Sequence, residues 1–178
     1  MQDSSRRPPV PPMTPDAARE RARAAEILDL QEGHGDVIVA TAGEARALLR
    51  AARRIAIVGA SPQPSRPSHD VMAYLLTVGY DCVPINPSVP EVLGRPCFAD
   101  LASATAAGGP FDIVDVFRRP EATPEIAREA VAVHAGTLWL QLGVVNWEAA
   151  RIAHDGGLPV VMDRCTAIEH RALRVEGA

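Results

Sequence analysis

The sequence predicts a three-layer α/β domain around a mainly parallel five-stranded sheet. Short runs rich in β-branched residues recur along the chain, and segments of helical periodicity stand between them. The runs lack alternating polar residues, so they read as strands covered on both faces rather than on one. With right-handed crossovers, such a series stacks helices on both sides of the sheet.

Residues Met1 to Met13 combine proline, serine and charge with little apolar signal and are expected to form a disordered tail. Residues 14–40 are expected to form a helical arm, with Thr14 placed to cap a helix from Pro15 to about Leu30. The folded domain is assigned to residues 41–178. Thr41 and Glu44 have the spacing of a capping box, followed by an apolar face of Ala45, Leu48, Leu49 and Ala52.

Arg54 to Val58 is the first predicted strand, ending at Gly59. A helix over Ser68–Val78, stopped by Gly79, leads to a strand over Asp81–Ile85 and completes one βαβ unit. Gly94 to Phe98 reads as a short edge strand, and Phe111 to Phe117 as another buried one. A helix over Thr123–Val133 then precedes a strand over Thr137–Leu142. Asn146 to His154 reads as helix and Leu158 to Met162 as strand, with a final helix from about Thr166.

Composition narrows the function. A net charge of -4 with 4% aromatic residues supplies neither the basic excess nor the stacking platforms of a nucleic-acid binder. No apolar run reaches the roughly 18 residues of a membrane span, and residues 1–13 lack the apolar centre of a signal peptide, so a cytoplasmic location is expected. Cys82, Cys97 and Cys165 offer neither a disulfide framework nor a zinc motif. Lysine is absent, which excludes a Walker-type phosphate loop and Schiff-base chemistry. No nucleophile elbow, metal cluster or acid–base carboxylate pair is legible, so no catalytic residue is assigned.

In an open parallel sheet a ligand sits beyond the carboxyl ends of the strands, where strand order reverses. The loop after the first strand contains Gly59, Ala60, Ser61, Ser65 and Arg66, and reaches the next helix at Ser68. Glycine permits close backbone approach, a helix amino terminus offers amides and partial positive charge, and arginine pairs with phosphate. An ordinary proline-rich connection with capping serines is the alternative. Dinucleotide binding requires an acidic residue near the end of the second strand to hold the ribose. That position reads Pro84-Ile85-Asn86-Pro87, with a neutral amide instead.

Ile57-Val58-Gly59-Ala60-Ser61, Arg66-Pro67-Ser68 and Gly79-Tyr80 with Pro84-Ile85-Asn86-Pro87 resemble the small bacterial CoA-binding proteins. Asp115-Val116-Phe117-Arg118, Leu138 through Gly143, and Met162-Asp163-Arg164-Cys165 extend the likeness in the same order. That family is related to the nucleotide-binding domain of the succinyl-CoA synthetase α subunit. The resemblance runs from about Thr41 to Leu173 and implies a Rossmann-like fold that binds coenzyme A or a short acyl-CoA without catalysis.

It places Gly59, Ala60 and Ser61 at the diphosphate through backbone amides, with Ser65, Arg66 and Ser68 adding polar and cationic contacts. Asn86 and Pro87 would border the adenosine, and Phe117 and Arg118 would flank the adenine or the start of the pantetheine arm. Gln141 would be a polar rim contact. Phe117 reads equally as core, Trp139 reads as core, and Cys165 reads either as a spectator or as a thiol placed for exchange. His69 is the histidine nearest the phosphate loop. An NAD(P)-dependent oxidoreductase and an acyl-CoA-sensing regulatory module remain the alternative functions.

Overall fold

Thr41 starts the first helix by the reciprocal bonds that its spacing to Glu44 predicts. The Thr41 Oγ1 accepts from the Glu44 amide, and Glu44 Oε2 accepts from the Thr41 amide at 2.8 Å. Such a cap contributes about 1 kcal/mol. The computed structural model describes residue 37 and residues 39–176, so the predicted tail and arm helix of residues 1–30 lie outside the described residues.

The elements run in order as α1 (Ala42–Ala51), β1 (Arg54–Val58), α2 (Pro67–Thr77), β2 (Asp81–Ile85), β3 (Glu91–Val92) and β4 (Arg95–Pro96). They continue as α3 (Leu101–Gly108), β5 (Ile113–Val116), a 3-10 turn (Pro120–Ala122), α4 (Thr123–Ala132), β6 (Leu138–Leu140), α5 (Trp147–Asp155), β7 (Val160–Val161) and α6 (Thr166–Glu176). The main sheet has five strands in the order β2-β1-β5-β6-β7, and every pairing in it is parallel. The fold is the expected three-layer, Rossmann-like α/β sandwich.

Each predicted strand of the main sheet is present, though the last three are shorter than their apolar runs. Two segments differ from expectation. Gly94 to Phe98 does not form a simple edge strand: Arg95–Pro96 pairs antiparallel with Glu91–Val92 in a separate ribbon. Phe98 reaches the sheet through its backbone, donating its amide to Pro84 O and accepting from the Asn86 amide. The helix α3 was not expected, because its Ala, Ser and Thr residues carry weak apolar periodicity; Asp100 caps it by accepting from the Ser103 amide at 2.7 Å.

The two faces of the sheet have separate cores. Ala56, Val58, Val114, Val116, Leu138 and Leu140 pack under α3, α4 and α5. Ile55, Ile57, Ile113, Trp139 and Val161 point the other way, beneath α1, α2 and α6. This alternation follows from the period-two geometry of strands. Full burial of an Ile or Leu side chain contributes roughly 1.5–3 kcal/mol, so both faces stabilise the sheet. Trp139 is fully buried, as expected, and its indole N–H donates to the Arg164 carbonyl at 2.7 Å.

Candidate functional site

Strand register builds the site. Val58 aligns with Ile85 on one side and Val116 on the other, and Val116 aligns with Leu140. The residues that follow these four, Asn86, Gly59, Phe117 and Gln141, therefore form one row along the carboxyl edge of the sheet. With neighbouring strands about 4.8 Å apart, the row is roughly 14 Å long. The chain leaves β1 for β2 on one side and returns to β5 on the other, so strand order reverses between β1 and β5. This is where open parallel sheets place a ligand.

A cleft of about 420 Å³ opens there, lined by Gly59, Ala60, Ser61, Arg66, Pro67, Ser68, Asn86, Phe117, Arg118, Gln141, Leu142 and Val144. Nine of the predicted site residues meet in it: Gly59, Ala60, Ser61, Arg66, Ser68, Asn86, Phe117, Arg118 and Gln141. Ser65 and Pro87 are exposed and do not line it. Pro67, Leu142 and Val144 line it without having been predicted; Leu142 was read as the last residue of a strand that in fact ends at Leu140. His69 and Cys165 are not among the lining residues. A larger, mostly apolar hollow of about 650 Å³ lies between α1 and the segment entering β7, but its polar side chains are only Glu44 and His154.

Gly59 leaves no room for a side chain. Its φ is 86°, and a Cβ there would stand 2.6 Å from the Phe117 carbonyl oxygen and 3.1 Å from Arg118 Nε. Of the amides of Gly59, Ala60 and Ser61, two already have acceptors within the fold. The Gly59 amide donates to Ile85 O at 3.0 Å and that of Ala60 to Ile57 O at 3.3 Å, so both serve the fold. The Ser61 amide has no acceptor among the described residues.

Asn86 ties two loops together. Its Nδ2 donates to Ala60 O at 2.8 Å, and its Oδ1 accepts from the Ser88 amide at 2.9 Å. Phe117 is both things the sequence left open: half-buried against the core that contains Trp139, with part of its surface on the cleft. Arg66 precedes α2, whose first residue is Pro67, and Arg118 follows β5. The cleft wall thus carries two guanidinium groups and no carboxylate, in a chain whose net charge is -4. The formal charge of its side chains is positive.

Gln141 lines the cleft while its amide nitrogen points into the fold. Nε2 donates to Asp115 Oδ1 at 2.8 Å, to Asp115 Oδ2 at 2.9 Å and to Thr166 Oγ1 at 2.8 Å. Thr166 Oγ1 donates in turn to Asp115 Oδ2 at 2.9 Å. Burial pushes the Asp115 carboxyl up to about 7, while the bonds from Gln141 and Thr166 act in the opposite direction. Of the thiols, burial drives Cys82 up to about 12 and also raises Cys97, so neither is a ready thiolate. Among the described residues no group of three His, Cys, Asp or Glu side chains could hold a metal ion, and no helix is long and apolar enough to cross a membrane.

An open parallel α/β fold with a cleft at its switch point defines a Rossmann-like class of protein. The chain belongs to the CoA binding domain family, whose pattern it matches over residues 53–171. It is 39% identical over 127 residues to the uncharacterized protein YneT of Bacillus subtilis, which spans 71% of this chain and 92% of that one. A hypothetical protein from Pyrococcus horikoshii superposes with a TM-score of 0.71 at 38% identity, covering 76% of this chain and 93% of its own. A Thermus thermophilus protein superposes with a TM-score of 0.69 at 39% identity, covering 75% of this chain and 99% of its own.

Proposed function

We propose that the cleft between β1 and β5 binds coenzyme A or a short acyl-CoA, with the nucleotide end at the switch point, and that this binding rather than turnover is the domain's role. The observation that carries this reading is the pairing of Arg66 and Arg118 on a carboxylate-free wall, in a member of a CoA binding domain family. The nucleotide end of CoA is rich in phosphate, and guanidinium groups pair with phosphate bidentately. The Ser61 amide, the Ser68 side chain and the amino-terminal end of α2 add neutral donors on the same side.

Asn86 argues for CoA over NAD. The position that would hold the ribose diol with a carboxylate is an amide already bonded to Ala60 O and the Ser88 amide. Residues 41–178 are the unit to which this function is assigned; of the segment before it, Val37 and Val39 pack into the same core and the Ala40 amide donates to Val160 O at 2.8 Å. Native mass spectrometry of the protein in an equimolar mixture of CoA, NAD, NADP and ATP tests the reading. A dominant CoA adduct supports it. A dominant NAD or NADP adduct would transfer the cleft to dinucleotide chemistry.

A further inference from the structure

We propose that buried Asp115 locks the side-chain amide of Gln141 so that Gln141 Oε1 becomes the acceptor for an amide N–H of the pantetheine arm of coenzyme A. This rests on the CoA reading of the cleft and adds which end of the row takes which end of the ligand. An ionised carboxylate only accepts hydrogen bonds, and both Asp115 oxygens accept from Gln141 Nε2. Thr166 Oγ1 accepts from the same nitrogen while giving its proton to Asp115 Oδ2. The amide of Gln141 therefore cannot flip without turning its carbonyl oxygen toward a carboxylate.

What is left for the cleft is the carbonyl. No described donor reaches Gln141 Oε1, and Gln141, though only 4% exposed, lines the cleft. Leu142, 56% exposed, and the mostly buried Val144 flank it with apolar surface. An acceptor between apolar side chains suits a flexible arm in which amide groups alternate with methylenes. It repels phosphate, whose ionised oxygens are acceptors too. The row is thus polarised: arginines and the Ser61 amide around Gly59 take the phosphates, and Gln141, two strands away and roughly 10 Å along the edge, takes the arm.

Isothermal titration at mildly alkaline pH, with CoA and separately with its nucleotide half, the 3′-phosphorylated adenosine diphosphate, tests the assignment. Wild type, Gln141→Met and Asp115→Asn are compared. Gln141→Met removes the acceptor with little change in size, and Asp115→Asn keeps the volume while ending the lock. Both should weaken CoA about fivefold to tenfold, the loss of one buried hydrogen bond, and change the nucleotide half less than twofold. Retained binding of the nucleotide half shows in the same experiment that each variant is folded. Equal losses on both ligands would make Asp115 and Gln141 merely structural, and undiminished CoA affinity in Gln141→Met would also overturn the assignment while leaving the CoA reading intact. Wild type that binds neither ligand would remove that reading, and this assignment with it.

Discussion

The Arg118 side chain lies directly over Gly59, its Nε 3.1 Å and its Cδ 3.2 Å from where a Cβ on Gly59 would stand. The two residues end adjacent parallel strands, so the backbone after β1 and the cation after β5 meet at the switch point. Gly59→Ala should therefore act on the fold and the site together. A left-handed φ of 86° and a Cβ 2.6 Å from the Phe117 carbonyl force the strands' ends apart, at a cost of about 1–3 kcal/mol. Urea denaturation should show the lower stability, and CoA affinity should fall with it.

Arg66→Ala separates binding from stability. Arg66 is exposed, so its removal should leave the denaturation midpoint nearly unchanged. Losing a charge-assisted contact to phosphate weakens binding by roughly 1.5–3 kcal/mol, about tenfold to a hundredfold in the dissociation constant. Titration calorimetry with CoA at two salt concentrations checks this. The variant should also show a shallower salt dependence than wild type.

Much of this site was legible before the fold. Gly59 and Asn86 were identified because each follows a predicted strand, and Phe117 and Gln141 because each lies toward the carboxyl end of one; parallel register places such residues in one row. Ser65 and Pro87 were implied by the family resemblance, but both are exposed and neither lines the cleft, since a loop's curvature is not written in its composition. The inward turn of Gln141 was invisible because it depends on Asp115 and Thr166, which are 26 and 25 residues away. The helix α3 was missed because Leu101–Gly108 buries only Leu101 and Ala104, too few apolar positions to set a period.

Asn86→Asp tests the link between the two loops. The substitution removes the donor to Ala60 O, now 2.8 Å away, and sets a carboxylate against that carbonyl and beside the cleft. Stability should drop by about 1–2 kcal/mol from the unmet carbonyl and the new repulsion. CoA affinity should fall as well, because the added charge opposes phosphate. Thermal denaturation and titration on one preparation measure both.

Asp115 gives stability a defined pH dependence. Its folded carboxyl is raised to about 7, above the value it takes in an unfolded chain. Between about pH 4 and that point the folded state keeps a proton that the unfolded state has released. Its contribution is therefore most favourable in acid and declines as pH rises, by up to about 1.4 kcal/mol per unit, before levelling off above the folded value. Asp115→Asn lacks this proton. The stability of wild type relative to the variant, from urea denaturation at stepped pH, should fall across that window; a difference independent of pH would contradict the assignment.

The most direct measurement is the thermal shift of the full chain with CoA, NAD, NADP and ATP, each at the same concentration. A ligand that binds only the folded state at a hundred times its dissociation constant stabilises by about 2.7 kcal/mol. A positively charged cleft without a ribose carboxylate predicts the largest rise in melting temperature with CoA. A larger rise with NAD or NADP, or no rise with CoA, would contradict it.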